Sequence, residues 1–575
     1  MKRYWKYIRP YIQYYILGPC FMMMEVVGDV LLPYMLAKII NQGIAERNVA
    51  YIIKIGAIMG LIAVIMAVGG VLGAWFASKA AMNFGADLRM DLFEKIQQFS
   101  FQNIDNFSTG SLITRLTNDI TQIQNMIMMT LRMCLRSPGI LIGAMVMAFV
   151  ISPKLAAIFI IVLPVLAVLI VVIMRRAFPQ FRTLQEKLDA LNSCIQEGLV
   201  GIRLIKSFVR GDYEEMRFEK RNQQLKEANL TAMKTMLLYT PLMTLALNIT
   251  TVVVVWSGGN MIVAGNMQVG DLTAFTNYIV QIMSSLTMLS IAFLNWARAI
   301  ASFCRVGEVL DEKIDLTDEN AKHKDRAVCE GSVEFQNVSF RYYKNSPEWV
   351  IENISFKLEA GKTLGIIGST GSGKSTLVSM IPRLYDTDEG TVLVDGINVR
   401  DYGLKPLREG IGMVLQNNTL FSGSITENLK WGDEHADEKA VRKAAQNAQA
   451  AGFIDSFKDG YRTRLEQSGN NVSGGQKQRL CIARALLKCP KILILDDSTS
   501  AVDTATERAI REALHSEYKD MTKIIIAQRI RSVMDADEIL VLDNGKTAGF
   551  GTHEQLLADC PVYREIYDVQ NGREE

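Results

Sequence analysis

Gly368-Ser369-Thr370-Gly371-Ser372-Gly373-Lys374-Ser375-Thr376 is the stretch on which the reading of this chain turns. It follows an apolar run, Thr363 to Ile367, that reads as a buried strand, and it opens into a helical pattern. Strand, glycine-rich turn and helix in that order make a phosphate cradle. Gly368, Gly371 and Gly373 let the backbone take positive φ and bring successive N–H groups towards phosphate oxygens, while the helix from about Lys374 points its positive end the same way. Lys374 would neutralise the outer phosphates of a nucleoside triphosphate, and Ser375 would hold Mg2+ through its hydroxyl.

Further on, the apolar strand pattern Ile492 to Leu495 ends in Asp496-Asp497, and Asp496 is placed to hold the ion's water shell. Just before it, Asn471-Val472-Ser473-Gly474-Gly475-Gln476 precedes the helical run KQRLCIARALL. Gln416 lies in VLQNNTLFSGSI, Tyr342 in VSFRYY, and Ser500-Ala501-Val502-Asp503 follows the acidic strand. Taken alone, Tyr342 would more readily be strand packing. The order of all these motifs decides otherwise.

Together they resemble the ABC-type ATPases, motif by motif, from about residue 332 to 567. The resemblance implies that Tyr342 stacks on adenine, a contact of about 1–3 kcal/mol, that Gln416 is the Q-loop ligand of Mg2+, and that Ser473 to Gln476 is the signature. It places Asp503 in the D-loop. It also implies that ATP on one chain's loop is completed by the signature of a second chain. Ser473 suits that task as a helix cap, with Gly474 and Gly475 keeping the approach to outward N–H groups clear.

Two positions depart from the pattern. Asp497 replaces the glutamate expected to polarise the attacking water, and a carboxylate misplaced by about 1 Å can cost on the order of 10²-fold in rate. Gln528, in KIIIAQRI, replaces a switch histidine; an amide can donate to a γ-phosphate but carries no charge. A homodimer would have two impaired sites. A homologous ABC half-transporter with the consensus Glu and His would make a pair with one impaired and one working site, and the chain is identified on this reading as the degenerate-site subunit of a heterodimeric exporter.

The chain is 575 residues, 49% hydrophobic and 21% charged, with its apolar residues concentrated in the first 300. Six apolar stretches are long enough to cross about 30 Å of hydrocarbon: near Tyr15–Ile39, Ile52–Ala77, Leu131–Ile151, Leu155–Ile173, Met236–Val263 and Leu272–Asn295. Lys2, Arg3, Lys6 and Arg9 precede the first, and many Lys and Arg lie between Arg175 and Lys234, whereas Gly258–Asp271 has none. That asymmetry puts the N-terminus and the ATPase on the cytoplasmic side of the cell membrane. The basic, aromatic N-terminus reads as an interfacial elbow, not a cleaved signal. A net charge of +2 gives no reason to expect nucleic acid, and the eight cysteines form no CxxC or Cys/His cluster.

The expected architecture is two-part: an all-α six-helix transmembrane domain over 1–310, a flexible join over 311–330, an α/β P-loop ABC ATPase domain over 331–567 and a tail over 568–575. Helix-rich linkers after the second and fourth spans would form rods of roughly 35–45 Å. By resemblance, coupling helices sit at their tips, around Phe101–Phe107 and Gly201–Phe208. Glu25 and Asp29, one turn apart in the first span, mark either a cavity or gate, or a fixed polar network with the partner chain. The methionines at 22–24, 126, 128 and 129 line an adaptable cavity or face lipid. By the same resemblance, the cargo would be drug-like, lipid or peptide molecules carried out through the bilayer. The other readings are a nucleotide-gated channel or sensor, and a homodimeric exporter with slow turnover.

Overall fold

Apolar chain in hydrocarbon must satisfy its own backbone, and helices do so within one segment. In the computed structural model, which describes residues 2–344, 346–498 and 502–572, one unit comprises Met1–Gln97 and Thr109–Asp311 and a second Gln98–Ser108 and Glu312–Glu575. The first unit is helical throughout its regular structure. Among the described residues five helical segments are long and apolar enough to span a membrane: Trp5–Ile44, Val49–Gln97, Thr109–Ile151, Pro153–Val200 and Gly211–Val263. The sixth apolar stretch lies on the helix Val269–Asp311. Exposed Val64, Val71, Ile160, Ile161 and Val165 give these helices outer faces suited to lipid.

Local chemistry fixes the tight turn between the third and fourth spans. Ser152 caps the helix that Pro153 begins, so this single residue separates the two helices. Between spans, Phe159 stacks on Phe275 with centroids 5.4 Å apart, and the Tyr278 hydroxyl donates to the Val30 carbonyl at 2.7 Å. Glu25 and Asp29 have their partner inside the chain. Arg136 Nη2 lies 2.9 Å from Glu25 and 3.3 Å from Asp29, so one guanidinium on the third span serves two carboxylates on the first. Short helices form at Phe101–Asp105 and Ile202–Ser207.

The second unit is α/β. Strands β1 (Val333–Phe340), β2 (Ile351–Leu358), β4 (Glu389–Val394) and β5 (Ile397–Asn398) form an antiparallel sheet in the order β2-β1-β4-β5. Strands β3 (Thr363–Gly368), β6 (Ile411–Val414), β9 (Ile492–Asp496), β10 (Thr522–Ile526), β11 (Glu538–Asp543) and β12 (Lys546–Gly551) form the central sheet, ordered β12-β11-β3-β10-β9-β6. All its pairings are parallel except that of β11 with β12. Strands β7 (Gly423–Ser424) and β8 (Arg464–Leu465) make a small separate ladder. A parallel sheet is buried on both faces, which explains runs such as Ile492 to Leu495, every residue of which is buried.

Three boundaries differ from expectation. Residues 98–108 belong to the C-terminal unit: Asn103, fully buried, donates to the Lys313 carbonyl at 2.9 Å and to Glu312 at 3.2 Å, and the Tyr385 hydroxyl donates to Asp105 at 3.0 Å. The join over 311–330 is pinned. Leu404 N–H donates to Asp318 at 3.1 Å, His323 N–H to the Asp401 carbonyl at 2.7 Å, and Asp395 accepts four successive N–H groups, from Cys329, Glu330, Gly331 and Ser332, at 2.7–3.1 Å. Polar composition alone does not reveal such distant partners. The tail assigned from 568 is still helical, in Pro561–Asn571.

Asp395→Ala strands those four N–H groups. With hydrogen bonds to a charged group at about 1.5–3 kcal/mol each before re-solvation, it should lower the unfolding midpoint of the C-terminal unit by several degrees in a thermal melt, with Asp395→Asn between it and the parent.

Candidate functional site

Strand order assembles the site. β10 lies between β3 and β9, with Ile526 paired to Ile366 on one side and Asp496 on the other. The turns leaving the carboxyl ends of these strands therefore emerge side by side, where ligands of open α/β sheets bind. They carry Ser369–Gly373, Asp497 and Gln528.

The loop leaves β3 at Gly368, where a Cβ would come within 2.1 Å of the Leu542 carbonyl on β11. It ends at Gly373, φ +91°, where a Cβ would meet Ile351 at 2.6 Å and the Val350 carbonyl at 2.9 Å. Only glycine fits either place. Between them Ser369, Thr370, Gly371 and the buried Ser372 form the cradle. Lys374 opens the helix Lys374–Ser379 and donates to the carbonyls of Gly368 at 2.9 Å and Ser369 at 2.7 Å. Burial holds its ammonium below the usual lysine range, opposed by Asp497 and Asp496.

Ser375 Oγ donates to Asp496 Oδ1 at 2.9 Å, so the hydroxyl and carboxylate expected to share Mg2+ already face each other across the loop. Oxygen donors of this kind suit that hard cation. The Tyr342 hydroxyl is 2.8 Å from Thr376 Oγ1, and its ring meets Tyr385 edge-on at 5.3 Å. Tyr342 remains partly exposed, leaving ring surface for a base. Gln416 follows β6 and is exposed.

Asp497 sits in the left-handed region, φ +46°, and its N–H donates to the Ile526 carbonyl at 3.1 Å. Gln528 Nε2 donates to Asp497 Oδ2 at 2.7 Å, so the two departures from the family pattern hold one another. Gln570, from the C-terminal helix, donates to the Gln528 carbonyl and accepts from Ile530 N–H, both at 2.8 Å. Burial raises the carboxyls of Asp496 and Asp497 above the usual range; the hydrogen bonds from Ser375 and Gln528 respectively oppose it.

The other motif residues stand apart. Ser473 caps the helix Gly474–Leu487 in a reciprocal box: its hydroxyl accepts from Gln476 N–H at 3.3 Å, and the Gln476 side chain accepts from Ser473 N–H at 2.9 Å. Among the described residues no hydrogen bond joins Ser473, Gly474, Gly475 or Gln476 to the phosphate loop. Asp503 caps the helix Thr504–Glu517 by accepting from Thr506 N–H at 3.0 Å. Ser500 and Ala501 of that motif lie outside the described residues.

Residues 15–286 match the family model described as ABC transporter transmembrane region and residues 351–500 the one described as ABC transporter. The chain is 39% identical to YfiB of Bacillus subtilis (strain 168), an uncharacterised ABC transporter ATP-binding protein, over all of this chain and 99% of that one. It belongs to the ABC transporter family. It is also 33% identical to YgaD of the same organism, a putative multidrug export ATP-binding/permease protein, over 99% of both chains. An ATP-bound bacterial Atm1-family ABC exporter shares the fold, with a TM-score of 0.81 at 24% identity over 98% of each chain. The chain is therefore an integral membrane ABC transporter that fuses a helical membrane domain to an ATPase domain.

The motifs of this ABC transporter gave no warning of Gln570 or Tyr385. Their partners lie 42 residues away in Gln528 and 280 away in Asp105. Only the fold brings them together.

Gly373→Ala should abolish nucleotide binding, measured with a fluorescent ATP analogue, because the loop must move to admit the methyl. A second outcome concerns pH. Asp497 binds its proton more tightly folded than unfolded, so ionising it costs stability: the cost is absent below the ordinary carboxylate pKa and complete above the raised one. Asp497→Asn should therefore melt higher than the parent at neutral pH, the gap closing as pH falls through that window.

Proposed function

We propose that this chain is the degenerate-site half of a heterodimeric exporter, moving amphipathic drug-like, lipid or peptide cargo out of the cytoplasm. One observation carries the reading: the short carboxylate of Asp497 is bonded by the neutral amide of Gln528. Water activation needs a carboxylate with reach, and a histidine there could also carry charge. Both are replaced, and the replacements engage each other.

Nucleotide binding is a separate matter, and the residues for it fit. Bound ATP with Mg2+ would supply the phosphoryl group whose cleavage resets the transporter. Gly368, Ser369, Thr370, Gly371, Ser372 and Gly373 present backbone N–H groups, Lys374 supplies the cation, Thr376 and Tyr342 fix the wall against which adenine stacks, and Ser375, Gln416 and Asp496 provide oxygen donors for the metal. Ser473, Gly474, Gly475, Gln476 and Asp503 serve the partner's competent site across the dimer.

A second chain also answers an exposed surface. Around the short helix Ile202–Ser207, Val200, Leu204, Phe208 and Val209 are 62–89% exposed, an apolar tip that a partner's ATPase domain would cover. The basic residues flanking the spans support a cytoplasmic position for that tip, the N-terminus and the ATPase.

The purified chain alone should bind ATP yet hydrolyse it at least tenfold more slowly than when assembled with a homologous half-transporter bearing Glu and His. Asp497→Glu alone should recover little activity, whereas Asp497→Glu with Gln528→His should recover most of it. Brisk turnover by the unmodified chain alone would overturn the reading.

A further inference from the structure

The helix Thr504–Glu517 has two distinct faces. One, with Glu507, Ile510 and Leu514, is buried. The other, with Thr504, Arg508, Arg511 and His515 at helical spacing, lines a cavity of about 750 Å³. Such a volume lies within the range of small-molecule sites. The floor is sheet. Lys523 on β10 pairs in register with Thr363 on β3, and both line the cavity with Ile525, two residues on from Lys523 and so on the same sheet face. Arg531 and Asp535 also line it.

Lys523 is the unusual member. It is 5% exposed, and no side chain hydrogen bond or ion pair reaches it among the described residues. Its nearest acids do not close on it: Asp537 is engaged by Lys362 at 3.2 Å and by Thr363 N–H at 2.8 Å. Burial holds the ammonium below its ordinary range, with Asp537 and Asp520 acting in the other direction. Beside it Arg511 donates through Nη1 to the Arg531 carbonyl at 2.7 Å and to Asp535 at 3.4 Å, while its Nε is buried with no partner. Glu512 pairs with Arg508 at 3.0 Å. A cation largely withdrawn from water without a close partner is costly, and the Arg511 guanidinium, fixed through Nη1, keeps Nη2 for an anion.

We propose that this cavity is an anion site that takes a phosphate or polyphosphate group, with Lys523 as the buried charge and Arg511 as the orienting fork. It is distinct from the phosphate loop, because Lys523 stands near the start of β10 and Thr363 at the start of β3, whereas the loop leaves β3 at its far end. Occupancy would bear on the other site through one element. The helix whose face binds the anion is the helix that Asp503 caps. That consequence rests on the reading of Asp503 given above; the binding itself does not.

The test uses the full chain in nanodiscs carrying Lys374→Ala to silence the phosphate loop, titrated calorimetrically with pyrophosphate and separately with AMP. Saturable binding is expected, weakened at least tenfold by Lys523→Met and by Arg511→Met and retained in Lys523→Arg. Hydrogen exchange should slow over residues 504–517 on binding. Tighter AMP than pyrophosphate would identify a phosphorylated metabolite as the source, and the reverse order free polyphosphate. If Lys523→Met fails to fold, Arg511→Met decides. Binding absent in Lys374→Ala, or indifferent to Lys523→Arg, Lys523→Met and Arg511→Met alike, would overturn the proposal, whatever the ATPase assays of the heterodimer return.

Discussion

The parallel pairing of β10 between β3 and β9 is the constraint from which the nucleotide-facing end of this ABC transporter follows. Each strand is locally ordinary: three or four successive apolar residues that pack on both faces. Their adjacency brings residues 368, 497 and 528, far apart in sequence, to one edge. The bond from Gln528 to Asp497 exists only because of that arrangement. If the register of β10 slipped by one residue, every side chain along it would change faces and the amide could not reach the carboxylate.

Legibility in the sequence followed the range of the interactions involved. The phosphate loop, the strand before Asp496 and the cap at Ser473 are local patterns whose chemistry is complete within about ten residues, so they could be read directly. The membrane spans are local as well, because each must satisfy its own backbone. Asp497 and Gln528 were legible as departures, although their mutual bond was not. The pinning of residues 311–330 is not legible locally because its acceptor, Asp395, lies more than sixty residues downstream of the N–H groups it gathers. Charge-rich composition reads as a loose tether until the fold shows where the donors go.

The first span shows the same limit from the other side. Two carboxylates one turn apart in an apolar helix pointed to something polar nearby, and the sequence left open whether water, a cavity or another chain supplied it. Arg136 supplies it from within, shared between the two acids. Its place at the start of the helix Arg136–Ile151, just after the break at Cys134–Leu135, lets the guanidinium turn towards the first span.

The itinerary of the backbone bears on how this molecule can be taken apart. The chain completes its C-terminal unit with an eleven-residue excursion, Gln98–Ser108, made long before the rest of that unit is synthesised. A recombinant fragment starting at Glu312 would lack the buried amide of Asn103 and the carboxylate that receives Tyr385. It would present an unfilled socket to solvent. Cutting the polypeptide after Ser108 or after Asp311 would likewise leave that socket's plug covalently attached to the other piece.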